Sequence, residues 1–327
     1  MKVATLRDAT PDGRLVVVSV DSTRAAVADG IAASMIDALH RWPDVEGRLR
    51  DLAVAIEDPS YSLAFPFEAS QCEAPLPRSY QWCDASAFIN HGRLMERAFN
   101  TDPIPDFETI PVMYQGASDD FLGPNVDVPL PDEAHGIDFE GEFGVVVGAT
   151  PMGVSEADAL QYVRFVVQIN DWSLRALGPR EMKTGFGFLQ AKPSTSFAPI
   201  AVTPDELGSA WQRGRVCMPL HIHWNGEWFG NPNGAEMHFS FGQLIAHAAR
   251  TRKLSAGTII GSGTVSNVDQ SRGSACIAER RVIEIINEGG PKTQFMRFGD
   301  RVRMEARFSN AASGPFGVIA QQVVKAP

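Results

Sequence analysis

A chain of 327 residues, 44% hydrophobic and 21% charged, has the balance of a globular protein with one large core, or a main domain with a smaller appendage. Its formal net charge of −10, without any lysine or arginine run, excludes a protein that tracks nucleic-acid phosphates. The polar opening MKVATLRDATPDGRLVVVS is not a secretory signal and no apolar stretch is long enough to cross a bilayer, so no membrane partner and a cytoplasmic location are expected.

The elements follow in chain order. Pro11-Asp12-Gly13 predicts a turn ahead of a short β-branched strand over 15–19. Helices are expected over 25–41 and 44–57, with Pro43 as the break between them. Residues 1–74 therefore read as a small N-terminal α/β domain. Pro59, Pro66, Pro75 and Pro77 rule out a regular helix and mark the junction with the main domain, 75–327.

That main domain alternates short strands with turns, as 29 glycines and 22 prolines in the whole chain imply. Residues 136–147 (GIDFEGEFGVVV) begin with period-two alternation, Ile137, Phe139 and Phe143 on one face and Asp138, Glu140 and Glu142 on the other. A second strand over 165–169 ends at Asn170-Asp171. Residues 220–230 predict a hairpin, with Asn225-Gly226 suited to a type I′ turn. Helices are expected over 155–163, from a capping box of Ser155 and Asp158, from Thr203 with Pro204 at its first position, and over 240–250. Cys72, Cys83, Cys217 and Cys276 are scattered and read as reduced thiols.

The sharpest chemical signal is Glu140-x-Glu142. Residues two apart on a strand point the same way, so these carboxylates share a face and repel one another. On an exposed strand such a pair is ordinary surface. Here the strand continues as the apolar run Phe143 to Gly148, which suggests a central strand and a bound cation. Ligation by carboxylates alone selects a hard cation: Mg²⁺, Mn²⁺ or Ca²⁺. Asp171, directly after the apolar FVVQI, is either a ligand or a turn former. Asp84 and His91 could lie two helical turns apart or be unrelated. His221 and His223 share a strand face but sit in a hairpin, which favours a plain polar face. Gly261-Ser262-Gly263-Thr264 could be an anion-binding backbone nest or a tight turn.

The order of these pieces carries more than any one of them. Asp84 with His91 seven residues on, Tyr114, I-D-F-E-G-E, N-D-W-S-L-R, Lys192 before Pro193-Ser194-Thr195, and G-S-G-T together resemble the fumarylacetoacetate hydrolase family. The resemblance runs from about residue 75 to the C-terminus. It implies a strand-rich α+β chain whose catalytic domain is a mixed β-sandwich or β-roll, and a homodimer. It implies a divalent cation, Mg²⁺ first with Ca²⁺ or Mn²⁺ as alternatives, held by Asp84, Glu140, Glu142 and Asp171. The catalytic histidine falls on His91, oriented by Glu279. Lys192 and Thr195 fall near the cation, Lys192 with a catalytic role, and Tyr114, Arg175 and Thr264 at the substrate. Two positions depart from the family's pattern: Ser86 replaces an aromatic and Gly178 a glutamine, so the acyl pocket is expected to be reshaped.

The activity so implied is metal-dependent hydrolysis of a carbon–carbon bond in a 1,3-dicarbonyl acid, acylpyruvate- or fumarylacetoacetate-like, from aromatic-compound catabolism. A decarboxylase or a hydratase of a 2-keto acid would use the same enolate chemistry, but the His91/Glu279 pair favours water activation. A non-catalytic metal-binding homologue would have no use for that pair.

Overall fold

The computed structural model describes residues 1–99, 104–308 and 310–327. Strands β1 (Lys2–Leu6), β2 (Arg14–Val18) and β3 (Arg24–Val27) form an antiparallel meander. Helices α1 (Met35–His40) and α2 (Trp42–Ala55) bury Met35, Leu39, Val45 and Leu49 in one cluster with Val3, Leu15 and Val17 of the strands.

The helix expected from residue 25 is corrected here. Ala25 and Ala26 lie opposite Val18 and Val17 in the sheet, because pairing with an apolar neighbour overrides alanine's helix propensity. The helix begins only at Met35, where the Ser34 hydroxyl accepts from the Asp37 amide. The expected break between two helices falls at Arg41, two residues ahead of Pro43. Pro43 occupies the first turn of α2, where its missing N–H leaves no bond unmade.

The chain continues through β4 (Phe65–Pro66), β5 (Trp82–Ala85), α3 (Ile89–Phe99), β6 (Met113–Gly116) and β7 (Val128–Leu130). Next come β8 (Ile137–Asp138), β9 (Gly141–Val147), α4 (Glu156–Ala159), β10 (Val163–Asn170) and β11 (Ser173–Leu174). After α5 (Gly178–Thr184), β12 (Ser196–Phe197) and β13 (Ile200–Val202), a small hairpin joins β14 (Trp211–Gln212) to β15 (Arg215–Val216). The last third holds β16 (Leu220–Trp224), β17 (Glu227–Gly230), α6 (Phe241–Ala248) and β18 (Ile259–Gly261). It ends with α7 (Ile277–Glu288), β19 (Arg301–Ala306) and β20 (Ile319–Lys325).

One sheet runs β4-β3-β2-β1-β13-β10-β9-β18-β5-β6, with β12 also on β10, so the N-terminal strands join the main sheet edge to edge through β1 and β13. A second sheet, β17-β16-β19-β20-β7, packs over it. Phe143, Leu220, Ile222, Met304 and Ile319 fill the core shared by the two sheets. Buried Gln168 struts them, donating to the Met304 carbonyl at 3.1 Å and accepting from the Ala306 amide at 2.6 Å. The architecture is the strand-rich α+β fold expected. Among the described residues no helix is long and apolar enough to cross a membrane.

Local signals fare unevenly. Asn225 and Gly226 have φ of +52° and +85° and close the β16–β17 hairpin as a type I′ turn requires. Ser240 and Gln243 form a full capping box on α6. The helix expected over 155–163 is shorter: Ser155 caps it, α4 ends at Ala159, and a 3₁₀ turn leads into β10. The helix at Pro204 is 3₁₀, because the Thr203 hydroxyl accepts from the Met1 amine at 2.7 Å instead of capping it, and Gly208 kinks it. The strand expected over 136–147 is split. β8 pairs with β11 and β9 with β10 and β18, while Glu140, between them, bridges to Cys276.

Candidate active site

Sheet order brings the acidic residues together. β9 lies between β10 and β18, and β18 lies parallel to β5. Glu142 stands on β9, Asp171 follows the last residue of β10, and Asp84 is on β5. Between them, Gly261 at the end of β18 leaves the room the carboxylates need: a Cβ there would come within 2.4 Å of Asp84 Oδ1. Each of Asp84, Glu142 and Asp171 presents an oxygen within 4.8 Å of the others, and all three are buried.

Their partners differ. Asp171 accepts from the Thr195 hydroxyl at 2.7 Å, the Tyr114 phenol at 2.5 Å and the Lys192 ammonium at 2.6 Å. Asp84 accepts from the Gly263 amide at 3.0 Å. Glu142 is 0% exposed, and among the described residues neither of its oxygens has a hydrogen-bond partner. Burial, followed by the neighbouring Asp171 charge, pushes Asp84 up to about 7. Burial together with Asp84 and Asp171 drives Glu142 well above the usual carboxylate range. Two buried oxygens without a donor, in a set made only of carboxylates, fit a hard divalent cation.

Glu140 stands apart from this triad. Lys192 donates to it at 2.8 Å and Arg175 pairs with its other oxygen. Burial alone would raise its acid, but Arg175 and Lys192 hold it far below the usual range. Of the four carboxylates expected to gather, three do so directly, and Lys192 spans the gap between Glu140 and Asp171.

His91 begins the second half of the site. It lies on α3, not on a helix shared with Asp84, and its Nδ1 is 2.8 Å from Oε2 of Glu279 on α7. The G-S-G-T segment is a nest already filled from within: Gly263, at φ +75°, gives its amide to Asp84. Thr264 follows it, buried. His221 donates from Nε2 to the Arg307 carbonyl at 3.2 Å, and His223 faces Arg303 across β16 and β19, so neither joins the acidic cluster.

Ser86 is exposed, and Gly178 at the start of α5 has open space where a side chain would stand. Two residues that sequence reasoning gave no role stand out. Asp138 takes the Arg175 guanidinium and two amides of α7. Glu181 accepts from the amides of Leu189, Gln190 and Ala191, the three residues ahead of Lys192. Asp138 was visible in the alternating strand, whereas nothing local marks Glu181.

The fold holds a histidine–carboxylate pair and a cluster of three buried carboxylates suited to a divalent cation. The profile described as "Fumarylacetoacetate (FAA) hydrolase C-terminal" matches residues 81–324, and "Fumarylacetoacetase N-terminal domain 2" matches 1–78. The chain belongs to the fumarylacetoacetate hydrolase family. It is 32% identical over 173 residues to the 2,4-didehydro-3-deoxy-L-rhamnonate hydrolase of Sphingomonas sp. strain SKA58, covering 52% of this chain and 57% of that protein. Fold neighbours include maleylpyruvate hydrolase from Sphingobium sp. SYK-6, in complex with manganese(II) and pyruvate, at TM-score 0.67 and 17% identity over 100% of both chains. Another is the fumarylacetoacetate hydrolase of Exiguobacterium antarcticum, at TM-score 0.67 and 16% identity over 99% of both chains.

Proposed function

We propose that the chain hydrolyses a carbon–carbon bond in a small 1,3-dicarbonyl acid. The observation that supports this best is the His91–Glu279 pair at 2.8 Å, in a chain that also buries Glu142 with no hydrogen-bond partner among the described residues. Asp84, Glu142 and Asp171 would hold a divalent cation, with Glu140 tied to them through Lys192. Bound there, Mg²⁺, or Mn²⁺ or Ca²⁺ in its place, would supply the electrophilic pull that a carbanion leaving group needs.

The chain's own residues do the rest. Glu279 fixes the Nδ1 edge of His91, which leaves Nε2 to take a proton from water. The hydroxyl adds to the carbonyl carbon, and Lys192 and Arg175 stabilise the charge that forms on its oxygen. The carbon–carbon bond then breaks, and the imidazolium returns its proton to the departing carbon, so one water is consumed and two acids or an acid and a ketone result. On the same reading the chain acts as a cytoplasmic homodimer, with residues 1–74 a small domain beside the catalytic domain, 75–327.

The Sphingomonas relative's name describes an acid with ketones at carbons 2 and 4 around a methylene, the same dicarbonyl pattern. Acylpyruvates, fumarylacetoacetate, maleylpyruvate and that sugar-derived acid therefore make up the test panel. Steady-state assays with Mg²⁺, Mn²⁺, Ca²⁺ or chelator should show cation-dependent cleavage of at least one. Release of CO₂ or of water from 2-keto acids, with every dicarbonyl left intact, would point to the decarboxylase or hydratase chemistry instead.

A further inference from the structure

We infer that Asp138 is a positioning residue that holds the His91–Glu279 pair in place relative to Glu140. The inference rests on the proposed function for what that pair does, though not for its geometry. Asp138 is 0% exposed and ends β8, two residues ahead of Glu140. Its Oδ1 accepts from the Ile277 amide at 2.7 Å, and its Oδ2 from the Ala278 amide at 2.9 Å and from Arg175 Nε at 2.8 Å. Ile277 and Ala278 open α7, and Glu279 is the next residue. The Glu279 amide in turn donates to the Cys276 thiol at 3.3 Å.

The first amides of a helix have no partner within it, and an anion at that end is favoured by both the free N–H groups and the dipole. A cap from a residue anywhere in the fold would satisfy those amides. This cap comes from the strand that leads into Glu140, and the same carboxylate grips Arg175, whose guanidinium pairs with Glu140. Both Asp138 oxygens are engaged, so the carboxylate cannot rotate. One rigid group therefore links Glu140, which Lys192 ties to Asp171 of the cation cluster, to the turn that carries Glu279, and Glu279 carries His91.

The test uses the full chain, with its histidines labelled with ¹⁵N and the His91 signal assigned by its loss in His91→Ala. In the parent, the Nδ1 proton bonded to Glu279 is expected as a resonance slowed in exchange. Asp138→Asn keeps the shape but turns an N–H₂ toward donors it cannot accept from. It should broaden or shift that resonance and lower kcat by ~100-fold. KM and Mn²⁺ affinity by calorimetry should stay within about threefold of the parent. A folded variant with resonance and kcat unchanged overturns the role, and so does a loss of kcat that follows loss of Mn²⁺ binding. Should Asp138→Asn not fold, Ala278→Pro carries the same test. It deletes one amide that Asp138 holds, keeps every carboxylate, and places proline in a helix's first turn. The same resonance is then expected to shift, and its persistence overturns the role. If no dicarbonyl acid is cleaved, the proposed function fails while the His91 resonance still decides the part played by Asp138.

Discussion

Glu279 Oε2 lies 2.8 Å from His91 Nδ1, and of the two side chains only the imidazole reaches solvent, 18% exposed against 1%. The carboxylate thus favours the tautomer with its proton on Nδ1 and leaves Nε2 without one. Because His91 contributes no atom to the acidic triad, His91→Ala should leave Mn²⁺ binding in place while lowering kcat by ~10²–10⁴-fold. Calorimetry and steady-state rates on one preparation check both halves. Cation binding lost together with activity would mean the ring belongs to the cation site.

Glu142 has no partner for either oxygen among the described residues, so in the cation-free protein its charge is a liability. Glu142→Gln is nearly isosteric, removes that charge, and can donate to Asp84 or Asp171. The variant should melt a few degrees higher than the cation-free parent and gain nothing from added cation. The parent, at a cation concentration of about 100 Kd, should gain about 2.7 kcal/mol, a rise on the order of 5 °C. Calorimetric melts with chelator and with Mn²⁺ supply all four values. A parent that melts at one temperature in both would dispose of the cation cluster.

The same carboxylates set a pH dependence. Burial and then Asp171 push Asp84 up to about 7, and burial with its two acidic neighbours drives Glu142 upward as well. The unfolded chain titrates such acids near 4, so between about pH 4 and 7 the folded state binds more protons. Their contribution to stability is therefore full below about pH 4 and is lost as pH rises through about 7. A cation must displace those protons, so its binding tightens over the same window. Melting temperature in chelator should fall between about pH 5 and 8, and the increment from Mn²⁺ should grow. A chelated protein that becomes more stable across this window would contradict the coupling of the three carboxylates.

How much of this was legible depended on whether the cause was local. The Asn225-Gly226 turn and the Ser240 cap act within four residues, and both form as read. Ala25 and Ala26 read as helix because their pairing with Val18 and Val17 across the β2–β3 turn leaves no mark on helical periodicity. Thr203 reads as a cap because the Met1 amine that takes its hydroxyl is 202 residues away. The site divides in the same way. Period-two spacing puts Glu140 and Glu142 on one strand face, but the break between β8 and β9 falls at Glu140, and Lys192, 52 residues on, claims it. Sequence order alone could not show that Glu142 would be left without a donor, nor that Glu181 would accept from three amides to shape the approach to Lys192.

Lys192 is the remaining test of how the acidic site stays folded. Its ammonium, 9% exposed, sits 2.6 Å from Asp171 and 2.8 Å from Glu140, and these carboxylates together raise its acid far above the ordinary lysine value despite the opposing effect of burial. Lys192→Met keeps the length and removes the charge, leaving Glu140 with Arg175 and Asp171 with only hydroxyl donors. Breaking a buried pair in this way costs about 3–5 kcal/mol. In chelator the variant should therefore melt well below the parent. A divalent ion beside Asp171 replaces part of the missing charge, so the increment from Mn²⁺ should be larger in the variant than in the parent. Equal increments in the two proteins would mean that Lys192 and the cation do not serve the same carboxylates.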